Sequence, residues 1–146
     1  MKNLQFTIVI LLLMFCNISC SSAQDDQEQV INILDNFYTY YVTEIANSNS
    51  IRILDTKLDS LQAKYCTNRF MDKLPDLMEQ LGGFVFIKAQ DSHMSILETL
   101  SIQKDTLRIN GYNVSFTYSN NYFNETTVIN LNVIKENGEY KIDDLW

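Results

Sequence analysis

The sequence predicts an α+β fold in which N-terminal helices pack on a curved antiparallel sheet of about four strands. Three observations carry this. Apolar residues recur at three- and four-residue spacing as far as Leu81, and at two-residue spacing in the last third of the chain. Gly82-Gly83 stands where the helical period ends. Asn137-Gly138 is the strongest hairpin signal in the chain. With helices first and strands after, the helices must cover one face of the sheet.

The elements follow in order. Acidic residues at 25–28 suit the positive end of a helix. Val30, Ile33, Leu34, Phe37, Tyr38, Tyr41, Val42 and Ile45 then form an amphipathic stripe reaching about Ala46. Asn47-Ser48-Asn49-Ser50 is a polar stop, after which Leu54, Leu58, Leu61 and Tyr65 mark a second helix. Thr67 can cap a third, with Phe70, Leu74, Leu77, Met78 and Leu81 as its stripe and a break or a restart expected near Leu74 because of Pro75. Residues 84–91 read as an extended piece entering a loop. Residues 97–104 and 106–110 read as one long strand or a tight hairpin turning at Lys104-Asp105. Strands follow at 113–119, with Val114, Phe116 and Tyr118 on one face, and at 126–135, with Ile129, Leu131 and Val133 on one face. Asn120-Asn121 starts the turn between them, and 139–145 returns from the Asn-Gly turn.

The N-terminus reads as an export segment. Lys2 is followed by an uncharged apolar run over 6–16, about 11 residues where a bilayer span needs roughly 20. Two cleavage chemistries fit what comes next. Ser21-Ser22-Ala23 before Gln24 satisfies the small-x-small rule of ordinary signal peptidase. Asn17-Ile18-Ser19-Cys20 resembles a lipobox, which makes Cys20 a lipid anchor and turns the residues after it into a tether. The division is therefore a signal peptide over 1–23 and a single domain over 24–146, exported and either membrane-anchored or soluble in the periplasm.

Of 18 acidic residues none precedes Asp25, whereas one of the 11 cations is Lys2; loss of the leader leaves ten cations against 18 acids, a charge of about −8. With no basic run, nucleic acid is excluded as a partner. Cys16 and Cys20 leave the pool of free thiols, so Cys66 has no internal disulfide partner, and a small buried side chain is its plain reading. Only His93 is available to pair with it as a nucleophile's base, and nothing local supports that pairing.

Gly138-Glu139-Tyr140-Lys141-Ile142-Asp143-Asp144-Leu145-Trp146 resembles the closing strand of the nuclear-transport-factor-2-like and cystatin-like cone folds. Together with Tyr65-Cys66-Thr67 and Phe86-Ile87-Lys88-Ala89-Gln90-Asp91, it resembles a family of uncharacterised bacterial exported lipoproteins over residues 30–146. The resemblance implies a cone-shaped domain whose interior can hold a ligand, with Tyr38, Tyr41, Phe86, Gln90, Asp91 and Tyr118 as possible pocket residues. The cone also hosts enzymes: in the ketosteroid-isomerase branch a carboxylate base faces an acidic tyrosine in an apolar cavity, a part open to Asp91 with Tyr38, Tyr41 or Tyr118.

No residue spacing carries catalysis on its own. There is no Gly-rich phosphate loop, no Gly-x-Ser-x-Gly elbow and no metal-ligand spacing, and no cofactor is implied. Asp143 and Asp144, as strand neighbours, are expected to face opposite ways. Aromatics make up 12% of the chain, enough to serve a half-wet pocket or an interface as well as ordinary packing. The expectation is an envelope domain that binds another envelope protein or a small apolar ligand without catalysis. Alternatives are an immunity protein that plugs the basic cleft of a secreted toxin, and an isomerase- or hydrolase-like enzyme.

Overall fold

The computed structural model describes residues 2–119 and 124–146, with side chains from Gln24 onward except at residue 119. The turn expected at Asn120-Asn121 lies outside the described residues.

Helix α1 (Lys2–Asn47) runs without interruption through the 23/24 boundary, and no glycine or proline stands in its way. Among the described residues, no helix is long and apolar enough to cross a membrane. Val30, Leu34, Phe37, Tyr38, Tyr41, Val42 and Ile45 are buried along one stripe of α1, as the spacing requires, while Tyr40 faces out. Helix α2 (Ile51–Tyr65) buries Leu54, Leu58, Gln62 and Tyr65. The predicted third helix is two. Helix α3 (Asn68–Met71) is capped by Thr67, whose hydroxyl accepts from the Phe70 N–H at 3.2 Å. Helix α4 (Leu74–Leu81) restarts with Pro75 in its first turn, where a missing N–H leaves no bond unmade.

Strands β1 (Ser101–Lys104), β2 (Gly111–Ser119), β3 (Asn124–Glu136) and β4 (Glu139–Leu145) form an antiparallel sheet in the order β1-β2-β3-β4. At the β3–β4 hairpin, Asn137 and Gly138 both have positive φ, 53° and 88°, as a two-residue turn of the favoured hand demands. Tyr112, Val114, Phe116, Ile129, Leu131, Val133 and Ile142 make the buried face. Helices and sheet thus form an α+β domain with one open sheet face.

Three expectations are corrected. Residues 84–91 are not extended. The Phe84 N–H donates to the Ala89 carbonyl at 2.7 Å, Lys88 takes φ 50°, and the segment folds back on itself so that Val85, Phe86 and Ile87 all enter the core. The close approach explains Gly83, where a Cβ would stand 2.5 Å from the Ala89 carbonyl oxygen.

The second correction is the reach of the first strand, which covers only Ser101–Lys104; a helical turn, α5 (Ser95–Glu98), takes the residues before it, and 106–110 is a loop. That loop closes on side-chain chemistry that period-2 counting ignores. Asp105 Oδ1 accepts from the Leu107 N–H at 2.8 Å, and the Lys104 ammonium collects the carbonyls of Arg108, Ile109 and Gly111.

The third concerns Asp143 and Asp144. A bulge interrupts the β3–β4 register between Asn132 and Val133, with Asn132 paired to Asp144 and Val133 to Ile142. Asp143 is the extra residue, and both carboxylates reach cations of the α3–α4 region: Asp143 pairs with Arg69, and Asp144 with Lys73 at 2.9 Å.

Candidate functional site

The interior of the domain is filled with rings. Phe86, delivered by the folded-back 84–89 turn, is the hub. Phe37, Tyr41 and Phe70 lie 4.7, 5.2 and 5.8 Å from it, all edge-on, and Phe37 stacks on Tyr41 at 5.4 Å. Tyr38 and Phe86 are 0% exposed and Tyr41 1%. The two tyrosines differ in one respect. The Tyr41 hydroxyl meets the Phe86 backbone and the Gln62 side chain, whereas the Tyr38 hydroxyl has no hydrogen-bond partner. Burial pushes both phenols well above their ordinary range.

Three of the six residues singled out from the sequence, Tyr38, Tyr41 and Phe86, are therefore packing of the core. Gln90 is exposed beyond the turn. The other two meet. Asp91 and Tyr118 line a surface groove of about 270 Å³ between the 87–91 segment, α5 and the ends of β2 and β3. Its floor is apolar, made by Ile87, Ile96 and Phe116; Lys88, Asp91, Glu125 and Thr127 give it a polar rim. Asp91 is exposed, and its Oδ1 accepts the Ser92 N–H at 2.7 Å; the Lys88 ammonium donates to the Val128 carbonyl at 3.3 Å. The rim thus keeps two carboxylates against one cation. Ser92, beside Asp91, is buried, and its hydroxyl is without a partner.

Sequence reasoning reached Phe116 through strand alternation but missed Ile96 and Glu125. Ile96 sits on a four-residue helical turn too short to show a period. Glu125 lies at a strand end, where only the β2–β3 register, Tyr118 opposite Glu125, brings it to the groove.

A second polar constellation ties α3 to β4. The Asp143 carboxylate, 3% exposed, accepts from Thr67 Oγ1 at 2.9 Å, Arg69 Nε at 3.2 Å, Arg69 Nη2 and Asn132 Nδ2 at 3.4 Å. Burial pulls this carboxyl upward, but the bonds from Arg69 and Thr67 outweigh it and hold the group below the usual carboxylate range. The Thr67 N–H also donates to the Ile142 carbonyl at 2.9 Å, so one residue caps a helix and stitches it to the sheet twice. This is a structural staple with every charge answered, not a site awaiting a ligand.

Cys66 is buried beside that junction, and desolvation pushes its thiol up to about 12, so it is no nucleophile at neutral pH. His93 is exposed, with Nδ1 3.1 Å from Ser95 Oγ, and does not serve Cys66. Among the described residues, no group of three His, Cys, Asp or Glu side chains could hold a metal ion. The Cys20 side chain lies outside the described residues.

No protein-family pattern and no curated protein matches the sequence. Among solved structures, the chain is similar to a crystal structure of a protein of unknown function from Bacteroides thetaiotaomicron. The TM-score is 0.78 at 26% identity, over 91% of this chain and 98% of that one. The likeness therefore takes in nearly the whole architecture and is to a bacterial protein whose own function is unknown.

Proposed function

We propose that the chain is an exported, envelope-tethered binding domain of the nuclear-transport-factor-2-like, cystatin-like kind, which holds its partner in the groove rimmed by Asp91, Tyr118 and Glu125. The observation that carries the reading is the contrast between interior and groove. Buried rings pack the space between helices and sheet, whereas the groove pairs an apolar floor with two carboxylates. A volume of about 270 Å³ sits just below the range for drug-sized ligands and suits one small group. That group is an amphipathic cation: an aromatic amine, or an apolar-stemmed Lys or Arg side chain offered by an envelope protein. A net charge near −8 attracts such a partner over distance. A toxin with a basic cleft is one version of it.

Export rests on the pattern of the first 23 residues, and tethering on Cys20. The isomerase-like alternative draws on one observation, that Asp91 and Tyr118 share the groove. An exposed carboxylate bonded to its neighbour's N–H lacks the apolar enclosure that such a base uses, so binding is the better supported.

The test is a calorimetric titration with tyramine, for wild type and for Asp91→Asn/Glu125→Gln. The reading predicts saturable binding, weakened at least about tenfold in the double variant. Equal affinity for both proteins, or no binding by wild type to any member of an aromatic-amine series, overturns it. Turnover of a substrate in an isomerase or hydrolase screen, abolished by Asp91→Asn, would replace it with the enzymatic alternative.

A further inference from the structure

The β1–β2 connection, residues 105–110, carries the two most exposed large apolar side chains among the described residues: Leu107 and Ile109, each 92% exposed. Such exposure usually accompanies a slack loop, but this one is built. The Lys104 ammonium donates to the carbonyls of Arg108 (3.1 Å), Ile109 and Gly111 (3.2 Å) and lies over the Tyr112 ring at 4.5 Å. Asp105 caps the Leu107 N–H, and the Asp105 N–H closes back on the Gly111 carbonyl at 2.9 Å. Between the two aliphatics, the Arg108 guanidinium stacks on the Trp146 ring at 4.1 Å, and the Trp146 backbone N–H donates to the Asn130 carbonyl at 3.2 Å. The result is a rigid prong: two aliphatic tips with a cation and a tryptophan at their base.

Its place in the fold says what it meets. Ile109 lines a groove shared with Asp26, Gln27 and Val30 of α1, and with Lys104, Tyr112 and Tyr140. Asp26 is held there by Lys135 at 3.6 Å and by the Tyr140 hydroxyl. Asp26 lies only six residue steps beyond Cys20, about 9 Å of helix or roughly 20 Å of extended chain. A lipid on Cys20 would therefore bring a bilayer to the end of the domain where the prong stands. Aliphatic tips with tryptophan and arginine at their base are the side-chain set that settles at a bilayer's headgroup level. Two side chains are also too little for a protein interface, which covers about 800 Å² on each partner.

We infer that the 105–110 loop docks on the lipid surface itself, with Leu107 and Ile109 entering the acyl boundary and fixing the orientation of the tethered domain. This rests on the proposed anchor at Cys20, and the two are separable. Because the domain is acidic, the contact is apolar and works on zwitterionic lipid.

Trp146, the single tryptophan of the sequence, is the reporter. The full chain is exported, purified from membranes and reconstituted into phosphatidylcholine vesicles with or without bromine on the acyl chains. Intact mass and vesicle flotation report the lipid. Brominated lipid should lower Trp146 emission about twofold in wild type and leave Leu107→Ser/Ile109→Ser unchanged, the variant keeping the wild-type melting temperature. Lipidated, vesicle-bound chain with unquenched Trp146 overturns the docking while the tether stands. Quenching in chain whose mass shows no lipid supports the docking and removes the tether. Quenching that survives in the double variant also overturns it.

Discussion

Asp143→Ala is the perturbation whose size the structure specifies most closely. The carboxylate stands on the β4 bulge, 3% exposed, and accepts four hydrogen bonds from three residues. The donors lose unequally when it goes. Arg69 is 64% exposed and re-solvates, so its share is small. Thr67 is 2% exposed, and its hydroxyl is left without an acceptor in the core while still capping α3. Orphaning a buried donor costs about 1–3 kcal/mol, and with the remaining charge-assisted bonds the total is about 2–4 kcal/mol. That is less than the roughly 3–5 kcal/mol of a pair buried on both sides. Asp143→Asn keeps the volume and one acceptor and should cost about half as much. Arg69→Met leaves the carboxylate without its counter-charge but still bonded to Thr67 and Asn132, and should cost about as much as Asp143→Asn. Urea unfolding with an unchanged m-value is the assay. If Arg69→Met destabilises as much as Asp143→Ala, the ion pair and not the buried hydroxyl network holds α3 to the sheet, and the reasoning fails. The same carboxyl sets an acid limit. Held below its ordinary value, it binds fewer protons folded than unfolded, so its stabilisation is full above about pH 4 and is lost as pH falls through the folded value. Asp143→Asn should flatten that part of the acid limb.

Three further outcomes follow from the core and the turn. Tyr38→Phe removes an unpartnered buried hydroxyl and should leave stability equal or raise it by about 1 kcal/mol, whereas Tyr41→Phe breaks a satisfied one and should lower it by about 1 kcal/mol; thermal melts of the pair read the contrast. Cys66 should react with a thiol reagent at pH 8 only at the rate of unfolding, and fast labelling of native protein would contradict its burial. Because its folded thiol is pushed up to about 12, the fold keeps that contribution below the unfolded value of about 8.5 and loses it progressively as pH rises above it. Gly83→Ala sets a Cβ against the Ala89 carbonyl oxygen at 2.5 Å and should cost about 1–3 kcal/mol, weakening amine binding with it because the 84–89 turn shapes the groove.

Periodic elements were legible in the sequence. The α1 stripe, the Thr67 cap, the restart at Pro75 and the Asn137-Gly138 hairpin all depend on spacing or on residues with one backbone habit. What escaped depends on contacts that spacing does not encode. Residues 84–91 alternate too weakly to reveal a turn whose stability comes from Phe86 entering a ring cluster built by α1, α2 and α3. The 106–110 segment carries a strand-like pattern in Leu107 and Ile109, yet Lys104 and Asp105 satisfy its backbone by side chain, and no strand forms. For the site, Asp91 and Tyr118 were identified and do share a groove, while Tyr38, Tyr41 and Phe86 went to packing. Tyrosines at helical spacing look the same from sequence whether they line a cavity or fill one, and only Phe86's position distinguishes the two.

The account turns on an interior that is full and a groove that is open. Mapping amide chemical-shift changes on titration with tyramine tests this most directly. The account predicts changes confined to the groove, at Asp91, Ile96, Phe116 to Tyr118 and Glu125 to Thr127, with Phe37, Tyr38 and Tyr41 silent. Changes centred on those three α1 residues, with the groove silent, would show a ligand entering between helices and sheet and contradict it.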